Sequence, residues 1–260
     1  MPSSPESSTV GRPRQPSVLI TGASSGIGTA VAERLAAQGR WRLLLNGRDE
    51  QRLDELAART GGVPLAADLT NPDSRARLVD AAEAHGGVDA LVAGAGAGWA
   101  GRFDSISGAE IEEVLDVNLG AVVHLVRGVV PGMLERGRGS VVLIGSVAGC
   151  VGVRNEAVYS AAKGGLVAFA DSLRYEVSGD GVSVSLVMPG AVDTPFFRRR
   201  GVPYHRSRPR PVAAGDVAAA VCEALRTGRA DMYVPRWLGM PARLRGAAPG
   251  VFRSLAQRFG

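Results

Sequence analysis

An α/β fold built on a doubly wound parallel sheet is the architecture this sequence predicts, and three observations predict it. Short apolar runs alternate with longer segments of helical period along most of the chain. A glycine-rich turn, Thr21-Gly22-Ala23-Ser24-Ser25-Gly26-Ile27-Gly28, joins the first apolar run to the first helical segment. The residues able to do chemistry fall at the C-terminal ends of apolar runs or at helix starts, where open α/β sheets bind ligands. With 260 residues and 45% hydrophobic content, one large domain with a substantial core is affordable.

The elements follow in order. Residues 1–16 are rich in Ser and Pro and lack the apolar stretch of a signal peptide, so a disordered lead-in is expected there. The domain proper is expected over 17–235. Residues 18–20 form the first strand, and a helix through Val31 and Leu35 stops at Gly39. Residues 41–46 form the second strand, followed by a helix through Leu53 and Leu56 that Asp49 can cap. A third strand over 63–67 ends at Asp68-Leu69, a polar helix covers 72–84, and a fourth strand covers 88–93. Gly94-Ala95-Gly96-Ala97-Gly98 then reads as a loop that a ligand or another stretch of backbone approaches closely.

One long helix is expected over 109–135, with Val114, Val117, Val122 and Leu125 on its apolar side and Asn118 inside it. Residues 140–145 form a fifth strand with Ser146 at its tip. Residues 159–177 form a helix striped by Leu166, Phe169, Leu173 and Val177. A sixth strand over 182–188 is closed by Pro189-Gly190-Ala191-Val192-Asp193-Thr194. A helix over 212–225 and a strand over 232–234 complete a sheet of about seven parallel strands with helices on both faces.

The chemistry is concentrated in few places. Tyr159 and Lys163 are four residues apart, so they share one helix face. An ammonium beside a phenol is expected to lower the phenol's pKa and make it a proton donor and acceptor near neutrality. Of the 30 basic residues 29 are arginine, and Lys163 is the single lysine. A surface Tyr and Lys on a helix is the bland reading of the same spacing. In the glycine-rich turn, Gly22 suits a tight turn, Gly26 the approach of a pyrophosphate and Gly28 close packing of helix on strand. At the second strand's tip, Arg48 suits the 2′-phosphate of NADP(H), unless it merely faces water; Asp49 could instead reach a ribose, so NAD(H) stays open.

Thr21-Gly22-x-x-x-Gly26-x-Gly28, Asn118, Ser146, Tyr159-x-x-x-Lys163, Pro189-Gly190 and Thr194, in this order and spacing, resemble the short-chain dehydrogenase/reductase family over about residues 17–235. The resemblance implies a Rossmann-type fold and an oxidoreductase that interconverts a ketone or aldehyde and an alcohol. It makes Tyr159 the general acid/base, Lys163 its modulator and a ligand of the nicotinamide ribose, Ser146 the holder of the substrate oxygen, and Asn118 the residue placing a proton-relaying water. It assigns the pyrophosphate to Gly22, Ser24, Ser25, Gly26, Ile27 and Gly28, the 2′-phosphate to Arg48, and the adenine to Asp68 and Leu69. Gly94 borders the cofactor; Ile27, Pro189, Gly190, Val192 and Thr194 meet its nicotinamide end. Two departures stand out: Ala93-Gly94-Ala95-Gly96 replaces the family's Asn-Asn-Ala-Gly, and Gly145 stands where a second serine is common. A non-redox epimerase or dehydratase, and a nucleotide-sensing protein without turnover, are the rival functions.

The segment 194–212 is expected to cover the substrate. Phe196 and Phe197 suggest an apolar substrate, while the arginines around them suit a carboxylate or phosphate or simply face water. Trp99 either walls the pocket or packs on a helix; His205 is a candidate substrate contact, whereas His85 and His124 are expected to be structural or exposed. From Arg198 onward, thirteen arginines face three acidic residues. Such a basic quarter suits an anionic membrane, acidic substrates or plain solvation, and nucleic acid is not expected. The tail 236–260 mixes apolar residues with arginine, and Pro241 and Pro249 are expected to interrupt any long helix; packing on a neighbouring subunit is the simpler outcome, membrane-surface contact the other. Cys150 and Cys222 read as free thiols of a cytoplasmic protein, no membrane span is expected, and a homodimer or homotetramer is.

Overall fold

The structure, a computed structural model, describes residues 14–204 and 209–259. The expectation for His205 and the first thirteen residues of the lead-in lie outside them. Chain order among the described residues begins β1 (Ser17–Thr21), α1 (Gly26–Gln38), β2 (Arg42–Gly47), α2 (Glu50–Thr60), β3 (Val63–Ala66), α3 (Pro72–Ala84) and β4 (Ala90–Ala93). It continues through α4 (Gly108–Leu115), a π-helical turn (Asp116–Gly120), α5 (Ala121–Glu135), β5 (Gly139–Ile144), α6 (Val147–Val151) and α7 (Ala157–Glu176). The last elements are β6 (Val182–Pro189), β7 (Val192–Asp193), α8 (Phe196–Arg199), β8 (Val212–Ala213), α9 (Ala214–Thr227), β9 (Asp231–Val234), α10 (Gly239–Ala247) and α11 (Pro249–Phe259).

The main sheet has seven parallel strands in the order β3-β2-β1-β4-β5-β6-β9. The chain winds outward from β1 to β3, then returns to the other side of β1 with β4. That reversal opens a crevice beyond the C-terminal ends of β1 and β4. Central strands are buried on both faces, which is why they read as unbroken runs of Leu, Val and Ile. One core, with Leu91, Leu125, Leu143 and Leu166, lies between the sheet and α3, α5 and α7; the second, with Ile20, Val31, Leu45 and Val221, lies under α1, α2 and α9.

Several expectations need correction. The ordered chain reaches back into the lead-in: Arg14 donates to both carboxylate oxygens of Asp89 at 2.9 and 2.8 Å, and Pro16 O accepts from Arg42 N. Asp89 is 8% exposed, and a carboxylate so buried needs its charge matched. The helix over 109–135 is not uniform, because the π turn adds a residue at Asp116–Gly120. It is long and apolar enough to cross a membrane, yet Val114, Val122, Leu125, Val126 and Val129 are buried inside the protein. The last long helix begins at Ala214, since Val212 and Ala213 pair with β7 instead. In the tail, Pro241 sits in the first turn of α10, where its missing N–H costs nothing, and only Pro249 marks a break between helices.

Candidate active site

The crevice is a cavity of about 710 Å³ that runs from the tip of β2 to the start of α7. Its floor is the glycine-rich turn. Gly22 has φ +69°, and a Cβ there would lie 2.9 Å from the backbone of Ala95. At Gly28 a Cβ would lie 2.2 Å from Gly22 O, so α1 can rest on the turn only with glycine at this position. Ser25 is the N-cap of α1, and its side chain makes no capping bond. Thr21 Oγ1 accepts from Gly94 N and Ala95 N at 3.1 and 3.2 Å, tying the turn to the loop after β4. Here a threonine hydroxyl braces a loop in which Ala93-Gly94-Ala95-Gly96 offers no polar side chain.

At the far end, Arg48 and Arg52 are exposed beside Asp49, which accepts from Arg52 N at 3.1 Å and caps α2. Asp68 accepts from Thr70 N and Oγ1, both at 2.9 Å, and these bonds hold its carboxyl below the usual range. Asp68 and Leu69 line the cavity there.

The opposite end gathers the expected catalytic residues. Ser146 lies two residues past the end of β5 and is the N-cap of α6, its hydroxyl accepting from Ala148 N at 3.2 Å. Tyr159 and Lys163 lie in the first turns of α7, and the phenol shares the cavity lining with Ser146, whose side chain is felt at it. Lys163, 4% exposed, donates from Nζ to Ile144 O at 2.8 Å; Nζ stands 5.9 Å from the centre of the Tyr159 ring. A glycine permits this packing, since a Cβ at Gly149 would lie 2.5 Å from the Lys163 carbonyl. Asn118, wholly buried in the π turn, donates from Nδ2 to Ala97 O at 2.7 Å and Val114 O at 2.8 Å. Its Oδ1 accepts nothing among the described residues.

The electrostatics overturn one expectation. The ammonium does not lower the phenol. Tyr159 is half-buried by its own surface but so closely walled that burial pushes it up to about 12, against the pull of the Ser146 side chain. Burial also moves Lys163, down to about 8. Desolvation disfavours both charged forms and is the largest cause at each group.

Of the described residues expected to bind the cofactor or act on the substrate oxygen, all but Gly28 line this one cavity, including Ile27, Gly94, Pro189, Gly190, Val192 and Thr194. Gly28 works from beneath. Trp99 does not line it and instead donates from Nε1 to Glu110 Oε1 at 3.0 Å. His124 is exposed, and His85 is the C-cap of α3. Sequence reasoning missed Asn46, Glu156 and three contacts of the cover. Phe196 stands 5.8 Å from the Tyr159 ring, Arg200 pairs with Glu156 at 2.5 Å, and Arg199 Nη1 donates to Ser25 Oγ at 2.8 Å. Asn46 lines the floor, fully buried, with Oδ1 unpaired among the described residues. Its place at a strand tip was the one available signal; the others join distant parts of the chain.

The fold, the glycine-rich crevice and the Ser-Tyr-Lys cluster define a class of nucleotide-binding oxidoreductase, and the comparisons give it a family. Residues 16–202 match the model described as "short chain dehydrogenase", and the chain belongs to that family. An uncharacterized oxidoreductase of Myxococcus xanthus is 32% identical over 93% of this chain and 96% of that protein. A ketoacyl reductase, HetN, of a Nostoc species is 34% identical over 84% of this chain and 77% of its own length. Among solved structures, a short-chain dehydrogenase from Sphingobium yanoikuyae in complex with NADPH superposes with TM-score 0.80 at 31% identity, covering 90% of this chain and 96% of that one. One from Burkholderia phymatum in complex with NAD gives TM-score 0.80 at 28% identity over 91% and 94% of the two chains.

Proposed function

We propose that this protein is an NADP(H)-dependent oxidoreductase that interconverts a ketone or aldehyde and the corresponding alcohol. The observation that carries the reading is that Ser146, Tyr159 and the buried Lys163 open on the same cavity as the glycine-rich turn. A dinucleotide fits the residues present. Side-chain volume is removed from the floor at Gly22 and Gly28, the first turn of α1 presents free N–H groups, and one end of the cavity is rich in arginine while the other ends at the phenol. Ser24, Ser25, Gly26 and Ile27 would hold the pyrophosphate, Arg48 the 2′-phosphate, and Gly190, Val192 and Thr194 the nicotinamide side.

When bound, the nicotinamide supplies hydride to the carbonyl carbon or takes it back. The chain's own residues handle the oxygen and its proton. Ser146 holds the oxygen beside the phenol. Tyr159, kept protonated at neutral pH by burial, donates its proton to that oxygen in reduction and recovers it in oxidation. Lys163 is cationic below about pH 8 and offsets the phenolate as it forms. Asn118 Oδ1, a buried acceptor without a protein partner among the described residues, suits a water on the proton path behind Lys163. A cover rich in Phe196, Phe197 and Arg200 favours a substrate with an apolar body, and the kinship with a ketoacyl reductase makes 3-oxoacyl thioesters the first class to try. Assembly as a homodimer or homotetramer, and a cytoplasmic setting, belong to the same reading.

The test is a panel of ketones, aldehydes and 3-oxoacyl thioesters with NADPH, and of alcohols with NADP⁺, followed at the nicotinamide absorbance band. Turnover with at least one carbonyl is expected. Product formed without an absorbance change would point to the non-redox rival. Cofactor binding without turnover across the panel would point to a sensor.

A further inference from the structure

The segment beside the Tyr159 end of the cavity also reaches its glycine-rich floor. α8 is one turn long, and two adjacent arginines leave it in different directions. Arg200 turns toward the substrate side, where it pairs with Glu156 and lies 4.6 Å from the centre of the Phe197 ring. Arg199 turns toward the floor, where its Nη1 donates to Ser25 Oγ at 2.8 Å across a separation of 174 residues. Ser25 is the residue at which α1 begins, so the guanidinium stands beside that helix's N-terminus.

Arg199 is not the only cation there. Arg48 and Arg52 line the same cavity, and both act on Arg199 through space: burial first, then the charges of Arg52 and Arg48, push Arg199 below its ordinary value. Three guanidiniums and a helix N-terminus thus line one cavity, with the charges of Arg48 and Arg52 felt at Arg199. The nearby acids are already committed. Asp49 caps α2 and pairs with Arg52 at 3.1 Å, and Asp68 is held by both hydrogen bonds from Thr70. Packing like charges together is unfavourable unless an anion joins them, and planar guanidiniums match the oxygens of a phosphate monoester. A neutral serine hydroxyl is a weak partner for such a group by comparison.

We propose that Arg199 is a third binding residue for the 2′-phosphate of NADP(H), beside Arg48 and Arg52, so that the substrate cover itself takes part in telling NADP(H) from NAD(H). The proposal rests on the NADP(H) reading above. It also makes α8 a link: the turn that carries Arg199 carries Phe196, whose ring stands 5.8 Å from Tyr159. Engaging the phosphate at one end holds the aromatic wall at the other.

The test is calorimetric titration of the full-length protein with NADP⁺ and with NAD⁺, which share the pyrophosphate and differ in the 2′-phosphate. Thermal melts of each variant establish that it is folded. Arg199→Gln is expected to weaken NADP⁺ by about tenfold or more, since a charge-assisted hydrogen bond is removed, and to leave NAD⁺ within about twofold. Ser25→Ala, which removes the tie between cover and floor together with a hydroxyl at the pyrophosphate that both cofactors share, is expected to affect both alike and keep their ratio within about twofold, because the guanidinium remains. Equal weakening of both cofactors by Arg199→Gln would assign this arginine to the pyrophosphate and overturn the proposal. No change with either cofactor would leave the Ser25 contact purely structural and overturn it as well. In both cases wild-type preference for NADP⁺, abolished by Arg48→Gln, would leave the broader cofactor reading standing. A wild-type protein that binds both cofactors equally would overturn that reading and this proposal together.

Discussion

At the arginine-rich end of the cavity Arg48 and Arg52 keep their charge exposed to water; at the end that holds Tyr159 the charge of Lys163 has been taken out of water. The first arrangement suits a ligand that brings its own charge. Exposed guanidiniums lose little on desolvation and gain when a phosphate arrives, so the end is selective, tolerant of small movements and sensitive to salt. The second suits a proton that must move on demand. Burial raises the phenol to about 12 and lowers the ammonium to about 8, which brings two groups whose ordinary values nearly coincide onto opposite sides of them. Tyr159 begins as an acid, and Lys163 stays a cation only up to mildly alkaline pH. One cavity thus treats charge as bait at one end and as a tuned reagent at the other.

The largest expected break in this contrast is at the phenol. Tyr159→Phe should reduce carbonyl turnover by about 10²–10⁴-fold, the worth of a positioned general acid, while calorimetry finds NADP⁺ affinity little changed. Turnover that survives the substitution would remove Tyr159 from the mechanism.

Lys163→Met tests the cost of the buried ammonium. The folded value of Lys163, about 8, lies below its ordinary 10.5, so between these limits the folded protein binds fewer protons than the unfolded one. Stability therefore rises with pH across that window, and the variant lacks this slope. Denaturant titrations at pH 7 and pH 10 should show the wild type gaining roughly 1–3 kcal/mol relative to Lys163→Met, although the variant is inactive at both. Tyr159, shifted upward, acts in the opposite sense from about 10 to 12 in both proteins, so the stability of each should fall with pH there while their difference persists. Wild-type reduction should likewise decline as pH rises through about 8 and Lys163 loses its charge.

Gly28→Ala probes the floor shared by both ends. The added carbon meets Gly22 O at 2.2 Å, and the expected loss is about 3 kcal/mol, read as a lower melting temperature with weakened binding of both cofactors. The smallest effect is at the exposed end. Arg48→Gln should weaken NADP⁺ by about tenfold at low salt and less at high salt, as screening predicts for an exposed charge. A salt-independent effect would mean that Arg48 is less open to solvent than its surface indicates.

Much of this was legible in the sequence, for definite reasons. Parallel strands buried on both faces leave unbroken apolar runs, so all seven main-sheet strands were readable to within a residue or two. The helix Pro72–Ala84 agrees at both ends because Asn71 caps it and proline opens it. The π turn was hidden. Its trace is the step of five from Val117 to Val122, which passes for ordinary helical spacing because Ala121 is also buried. That extra residue is part of what sets Asn118 in its buried place. The direction of the Tyr159 shift was not legible either, since spacing reveals a neighbouring charge but not the packing density around it. Arg199 on Ser25 was beyond reach: nothing local in Phe196-Phe197-Arg198-Arg199-Arg200 says which arginine turns which way.

The solitary lysine has a practical consequence as well as a chemical one. In a chain whose other 29 basic residues are arginine, a lysine-specific isotope label adds one side-chain signal, and that signal comes from the heart of the cavity. Amine-directed reagents meet, apart from the chain's own N-terminus, a single target that is 4% exposed and therefore slow to react. The protein therefore carries a built-in spectroscopic and chemical probe of this cavity, with no other lysine to obscure it.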